Sequence, residues 1–208
     1  MVRRKIMGLL VCSLVVSLAT AAWAGIPDLD LSTANYASTG TEVSVYSLPN
    51  GAGDPLSNVY VNGGSKVDAT VTLTLVDSTP TPIFNYPFED MWIESDTPAM
   101  VICPGGSTAD ANTDANGQTT FSGALFAGAW GNGLVIIING DALSQTPLTF
   151  KFNSPDINGD LVVNLTDVVL FAGVYYGVYE YLADFYWDDV INLSDIVLLA
   201  QGQGATCP

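Results

Sequence analysis

Residues 156–167 read D-I-N-G-D-L-V-V-N-L-T-D, with an oxygen-bearing side chain at nearly every second position of the first half. Counted from the first aspartate, positions 1, 3, 5, 7, 9 and 12 are Asp156, Asn158, Asp160, the Val162 carbonyl, Asn164 and Asp167. Short oxygen side chains at this spacing, closed by a carboxylate at position 12, are typical of a loop that wraps a hard cation such as Ca²⁺. The stretch therefore predicts a calcium site.

The same pattern returns in residues 184–195, which read D-F-Y-W-D-D-V-I-N-L-S-D. Its predicted ligands are Asp184, Asp188, the Val190 carbonyl, Asn192 and Asp195. The likeness continues beyond each loop, since V-N-L-T-D-V-V-L-F-A and I-N-L-S-D-I-V-L-L-A are closely similar. Both asparagines also match helix N-caps, with an aspartate three residues later near the positive end of the helix. The repeat indicates an internal duplication of a loop and the helix that follows it.

This duplicated unit resembles the type I dockerin, a paired EF-hand-like module in which one helix follows each twelve-residue calcium loop. The resemblance implies two bound Ca²⁺ ions. Position 6 of such loops is normally Gly, but here it is Leu161 in the first loop and Asp189 in the second. A left-handed leucine is expected to cost about 1–2 kcal/mol. Tyr186 replaces the usual ligand at position 3 of the second loop, so we expect that site to be weaker.

Dockerins in cellulosomes bind cohesins through a Ser-Thr pair at loop positions 10 and 11. In this chain these positions are Leu165-Thr166 and Leu193-Ser194. We expect the two leucines to pack inside the protein, which argues against cohesin binding.

Residues 25–153 show strand periodicity, and helical periodicity is absent before residue 164. The predicted strands are 42–48, 58–61, 67–76, 91–94, 99–103, 118–122, 134–139 and 148–152, preceded by an extended arm or first strand at 25–37. Five Asn-Gly pairs, which favour tight hairpins, separate or end these runs and predict antiparallel pairing. The segments at 69–77, 82–87 and 113–121 resemble the bacterial immunoglobulin-like domains of surface adhesins. We therefore expect a mainly β chain: an antiparallel immunoglobulin-like or jelly-roll-type β-sandwich at 25–153, then a small α-helical calcium module at 154–208.

The first 24 residues are typical of a secretory signal peptide. A basic start, M-V-R-R-K, is followed by a short apolar run and by A-W-A at the expected cleavage site. The apolar run is too short for a membrane-spanning helix of about 20 residues. We therefore expect a secreted protein at the cell surface or outside the cell, without membrane insertion.

The net negative charge of the chain bears on nucleic acids as binding partners. Residues 25–208 hold two basic side chains, Lys66 and Lys151, against 21 acidic ones, a formal charge of −19, and the chain has no His. Nucleic-acid binding is excluded because almost nothing neutralises phosphates. The remaining cysteines, Cys103 and Cys207, would be able to pair in an oxidising compartment, but the sequence leaves their distance open.

Three functions are compatible with these features. The first is a non-catalytic, calcium-stabilised structural protein that self-associates into a surface filament or layer, with the arm at residues 26–36 adding a strand to a neighbour. The alternative is a dockerin-type adaptor that binds a cohesin-like receptor, another secreted protein or a polysaccharide. Trp92 and Trp130 are candidate carbohydrate platforms, although packing in or beside the predicted strands is the preferred interpretation of both. The third is a glycosidase based on Glu89-Asp90 or Glu94-Asp96. Nothing separates these carboxylates from the rest of an acidic surface, and without His no Ser–His pair can form, so we expect no catalytic site.

Overall fold

The computed structural model of the protein describes residues 25–37, 42–97 and 99–208. The predicted signal peptide at 1–24 lies outside these residues. The described strands are β1 (Thr33–Tyr36), β2 (Val43–Tyr46), β3 (Val59–Val61), β4 (Ser65–Val67), β5 (Val71–Thr74), β6 (Met91–Ser95), β7 (Val101–Ile102), β8 (Gln118–Phe121), β9 (Ala127–Gly128), β10 (Gly131–Ile138), β11 (Asp141–Ala142) and β12 (Leu148–Asn153). The helices are α1 (Leu165–Tyr175) and α2 (Leu193–Gly202), with 3₁₀ turns at Leu56–Asn58, Phe88–Asp90 and Tyr181–Ala183.

Two larger sheets enclose the main core, and a two-stranded sheet of β7 and β9 also contributes to it. Of the two larger sheets, one has the order β1-β5-β8, and the other has the order β11-β10-β12-β2-β3-β4, with β6 also paired to β10. Strand β5 shows why these residues form a sheet: Val71 and Leu73 are fully buried, whereas Thr72 and Thr74 are half-buried on the opposite face. Each aliphatic side chain buried in this way contributes about 1.5–3 kcal/mol. The mainly β architecture with two C-terminal helices agrees with the prediction.

The expectation of wholly antiparallel sheets is wrong at one place. Strand β12 runs parallel to β2, with Phe150 opposite Val43 and Phe152 opposite Val45. A parallel pair needs a long crossover, which the chain between β2 and β12 supplies. Parallel strands also favour burial on both faces, and β2 is buried at every position.

Local polar chemistry shifts several predicted strand bounds. The predicted strand 67–76 divides between β4 and β5, because the Asp68 carboxylate accepts the Thr70 N–H at 2.8 Å and turns the chain there. Asn139-Gly140 makes the expected tight turn between β10 and β11, with φ of 51° and 96°. Asn132-Gly133, by contrast, lies inside β10 where the register with β12 shifts, which is a β-bulge and no hairpin.

The N-terminal arm belongs to its own sheet. Within it, β1 pairs antiparallel with β5, from Thr33 opposite Thr74 to Tyr36 opposite Val71. Of the two readings left open for this segment, the domain's own first strand is the one observed. Because β1 is paired with β5, it is not available to insert into the sheet of a neighbouring molecule. Only its outer edge is open to another strand.

The C-terminal module packs directly against the sheets, with no Pro-, Thr- or Ser-rich linker between β12 and the first loop. A second apolar core joins Tyr46, Leu48 and Tyr60 of the sheet domain to side chains of the module, including Phe171, Phe185, Trp187 and Leu199. The Tyr46 hydroxyl donates to the Leu198 carbonyl at 2.8 Å. A Cys103–Cys207 disulfide ties the end of the chain to the sheet domain. Among the described residues, no helix has the length and apolar character needed to cross a membrane.

Candidate metal centre

Both predicted loops have the same backbone shape. Leu161 and Asp189, at position 6, have φ of 65° and 63°, and Gly159 and Trp187, at position 4, have φ of 71° and 49°. The left-handed leucine expected from the sequence is therefore present. For a non-glycine residue this conformation costs about 1–2 kcal/mol, so contacts around the loop must hold it.

Position 1 supplies such contacts through its carboxylate. Asp156 Oδ1 accepts the backbone N–H groups of Gly159 at 3.0 Å and Asp160 at 3.2 Å, and its Oδ2 accepts that of Leu161 at 2.8 Å. In the second loop, Asp184 accepts the equivalent N–H groups at positions 5 and 6, at 3.2 and 2.9 Å. Each loop thus curls around the carboxylate that opens it.

Position 12 joins the two ends of each loop. Asp167 accepts the N–H of Asn158 at 3.2 Å and that of Asn164 at 2.9 Å, and it is fully buried. Asp195 makes the matching bonds to Tyr186 at 3.0 Å and Asn192 at 2.8 Å. The predicted N-caps are confirmed, since both helices begin with a complete capping box.

The other predicted ligands bond within their own loops. Asn158 Nδ2 donates to Asp160 Oδ2 at 3.0 Å, and Asn164 Nδ2 donates to the Val162 carbonyl at 3.0 Å. In the second loop, the corresponding bond from Asn192 to the Val190 carbonyl is 3.2 Å, and Asp188 Oδ1 accepts the Val190 N–H at 3.1 Å. In residues 25–37, 42–97 and 99–208, no three His, Cys, Asp or Glu side chains form a group able to hold a metal ion.

The electrostatics of the loops nevertheless fit a cation. Asp156 is completely buried, and burial, opposed by its backbone hydrogen bonds and reinforced by repulsion from Asp167 and Asp160, raises its pKa to about 6. Burial is also the largest cause that raises the pKa of Asp184 and of Asp195, which repel each other. A buried negative charge is stable only when a partner compensates it.

No basic side chain in the described part of the chain supplies that partner. Lys66 and Lys151 are the basic residues in the described part of the chain, and they pair with Asp54 at 2.6 Å and Glu42 at 3.2 Å. The donor set of carboxylates, amide oxygens and backbone carbonyls is also the chemistry that Ca²⁺ prefers. On these grounds the residues present fit a hard divalent cation.

The second loop differs through two tyrosines. Tyr186, at position 3, packs on Tyr60 with ring centroids 5.3 Å apart, so its side chain belongs to the junction between module and sheets. Tyr179, which the sequence did not single out as a site residue, donates its hydroxyl to Asp184 Oδ2 at 2.8 Å. Burial, with the nearby Asp184 carboxylate, raises the pKa of Tyr179, so its hydroxyl remains a donor. Asp184 Oδ2 thus accepts two hydrogen bonds, from Tyr179 and from the Asp189 N–H, where Asp156 Oδ2 accepts that of the Leu161 N–H.

The expectation that the position-10 leucines pack inside the protein is wrong. Leu165 is 73 % exposed and Leu193 is 69 % exposed. The capping boxes explain this placement, because the buried aspartate at position 12 turns one side of the helix toward the loop and leaves position 10 on the opposite side. Further exposed apolar side chains on the same two helices are Val169, Leu170, Ile196 and Val197.

The aromatic residues between the loops divide into two groups. Phe171, Phe185 and Trp187 are buried in the second core. Tyr176 is 86 % exposed, on the segment after α1. Trp130 lies against Tyr181 in an edge-to-face contact with centroids 5.5 Å apart.

Comparison with known proteins identifies no family for this chain. No family model matches the chain, and no curated protein matches it. Among solved structures, a crystal structure of the Lin-41 filamin domain is similar at 16 % sequence identity, over 61 % of this chain and 95 % of that chain, with a TM-score of 0.31. A similarity at this level carries no argument about fold or function.

Proposed function

We propose that this protein is a non-catalytic extracellular assembly protein whose calcium-stabilised, dockerin-like module docks onto another protein. The observation that carries the proposal is the equivalent, outward position of Leu165 and Leu193 on the two repeats. Exposed apolar side chains that recur at one place on both halves of a duplicated unit are typical of a binding surface.

Calcium has a structural part in this proposal. Ca²⁺ would be held in the first loop by Asp156, Asn158, Asp160, the Val162 carbonyl, Asn164 and Asp167, and in the second by Asp184, Asp188, the Val190 carbonyl, Asn192 and Asp195. The ion would compensate the buried carboxylates, and so fix the angle at which α1 and α2 leave their loops. Because Tyr186 and Tyr179 alter the second loop, its affinity is expected to be lower.

Export of the protein is supported by the Cys103–Cys207 disulfide, since disulfides persist in oxidising compartments. The leader pattern at residues 1–24 agrees with this. An immunoglobulin-like identity for the sheet domain belongs to the proposal as well, supported by two sheets around one core, while the β12–β2 parallel pair departs from a purely antiparallel arrangement.

The test is binding to a panel of immobilised cohesins in calcium. We expect saturable binding by the wild type and loss of binding for the double variant Leu165→Asp/Leu193→Asp, without a change in melting temperature, since both leucines are exposed. Val178→Asp is the matched control, because Val178 is 82 % exposed but lies beyond α1. Equal binding by wild type and double variant would remove the helices from the docking surface.

Self-association is the second candidate, because a second copy of the chain presents the same apolar faces. The formal charge of −19 on residues 25–208 opposes contact between identical copies, and calcium binding would reduce that charge. Light scattering and negative-stain microscopy with and without Ca²⁺ distinguish the candidates. A monomer that binds cohesins is an adaptor, whereas calcium-dependent filaments without cohesin binding indicate a polymer.

A further inference from the structure

A groove on the sheet domain lies far along the chain from the predicted calcium loops, and it exposes an indole and two carboxylates. Its volume is about 300 Å³, and its lining includes Glu89, Trp92, Glu94, Ile102, Pro104 and Thr108. This volume is at the lower end for small-molecule sites. It is suited to one compact group.

Strand β6 aims two of these side chains outward. Met91 and Ile93 are buried in the main core, so the alternating residues Trp92 and Glu94 lie together on the opposite face. Trp92 Nε1 donates to Glu94 Oε1 at 2.8 Å, which fixes the carboxylate beside the indole. Because that bond uses the indole's single polar atom, the rest of Trp92 offers only its aromatic surface.

The opposite wall is held in place by covalent and backbone bonds. Cys103, which lines the groove, is in the disulfide with Cys207, and its backbone N–H donates to the Phe126 carbonyl at 2.8 Å. The Gly106 N–H closes a turn onto the Cys103 carbonyl at 3.0 Å. The groove is therefore formed before any ligand arrives.

No cationic side chain among the described residues compensates the negative charge of the groove. Glu89 and Glu94 are exposed carboxylates from two different elements, and the lysines that the structure describes are engaged with Asp54 and Glu42. A neutral ligand, such as a sugar, would cover these carboxylates without supplying an opposite charge. A positively charged group beside an indole gains both the carboxylates and the cation–π attraction.

We propose that this groove binds a primary alkylammonium group, with Trp92 against the cation and its methylene chain, and Glu89 and Glu94 accepting its N–H bonds. Ile102 and Pro104 provide apolar contact for the chain. The same chemistry is carried by a free alkylamine and by a lysine side chain of another protein.

The test uses the full secreted chain in calcium and follows the indole N–H signal of Trp92 by NMR, assigned by its loss in Trp92→Phe. The probes are n-butylammonium, Nα-acetyl-lysine methylamide, the neutral 1-pentanol and methyl β-glucoside. We expect saturable movement of the signal with both ammonium probes and none with the two neutral ones. Weaker binding of butylammonium than of the lysine derivative would favour a protein partner, and the reverse order a free amine.

Glu94→Gln keeps an oxygen that accepts the Trp92 N–H but removes the charge, so the fold is retained while affinity for butylammonium falls about twofold to fivefold. Glu89→Gln is expected to act similarly. Glu180→Gln, an identical change outside the groove, is the control and should leave affinity unaltered. Absence of saturable movement, equal movement with 1-pentanol or methyl β-glucoside, or unchanged affinity in both groove variants would overturn the proposal.

Discussion

The Asp156 carboxylate lies directly against Gly128 of β9, so closely that a Cβ atom added to Gly128 would lie 1.8 Å from Asp156 Oδ2. The neighbouring Ala129 N–H donates to the Asp156 carbonyl at 2.6 Å. The first predicted calcium loop thus contacts the sheet domain through Asp156, its first predicted ligand, and the sheet domain forms part of the wall behind the candidate metal centre.

Gly128→Ala is therefore expected to displace the Asp156 carboxylate and weaken calcium binding at the first loop, while the sheets remain folded. Isothermal titration with Ca²⁺ measures the change. Gly123→Ala is the matched control, since a Cβ there meets no atom within 4 Å. An alanine at 128 that leaves calcium affinity intact would show that the carboxylate can move without consequence for the ion.

Removal of calcium is expected to lower the melting temperature, because an ion bound only by the folded state stabilises it. At a free calcium concentration about 100 times Kd the stabilisation is about 2.7 kcal/mol. Asp156→Ala with Asp160→Ala should abolish most of this shift in a thermal scan with and without EDTA. Asp184→Ala should remove a smaller part, since we expect the second loop to bind calcium more weakly.

Asp141→Ala is the control for this experiment, because Asp141 is an exposed acid on β11, outside both loops. A melting temperature that EDTA leaves unchanged would contradict calcium binding at either loop.

Leu161→Asn is expected to stabilise the protein by up to about 1 kcal/mol, because asparagine tolerates a left-handed backbone better than leucine. The Leu161 N–H bond to Asp156 is made by the backbone and survives the change. Leu161→Ala is the comparison: it also removes the leucine side chain but keeps the strain, so it should give no gain. Urea unfolding curves separate the two, and equal effects of both variants would mean that strain at this position is negligible.

Removal of the Cys103–Cys207 disulfide is expected to destabilise the protein strongly. The bond closes a loop of about 100 residues, for which the chain-entropy model predicts about 4–5 kcal/mol. Urea unfolding of Cys103→Ser/Cys207→Ser against the wild type measures the loss. A reducing agent should destabilise the wild type and leave the double variant unaffected; a response of the double variant would point to some other reducible group.

The backbone shape of the two predicted calcium loops could be inferred from the sequence because it depends on neighbouring residues. The ligand spacing, the capping box and the left-handed residue at position 6 all lie within twelve consecutive residues. These features therefore do not depend on residues elsewhere in the chain. The positions of Leu165 and Leu193 were not readable, because burial depends on what covers a helix. Tyr179 was missed for a related reason: it lies outside the loop and reaches Asp184 only through the turn at Tyr181–Ala183.

The sequence by itself determined the alternation of β5, the duplicated loops, the two helix starts and the excess of negative charge, since each follows from neighbouring residues. Tertiary structure alone decided the parallel pairing of β12 with β2, the contact between Asp156 and Gly128, and the Cys103–Cys207 bond. These relationships join residues that are from 28 to more than 100 positions apart. Distance along the chain does not predict distance in space, and only packing of the two cores brings such residues together.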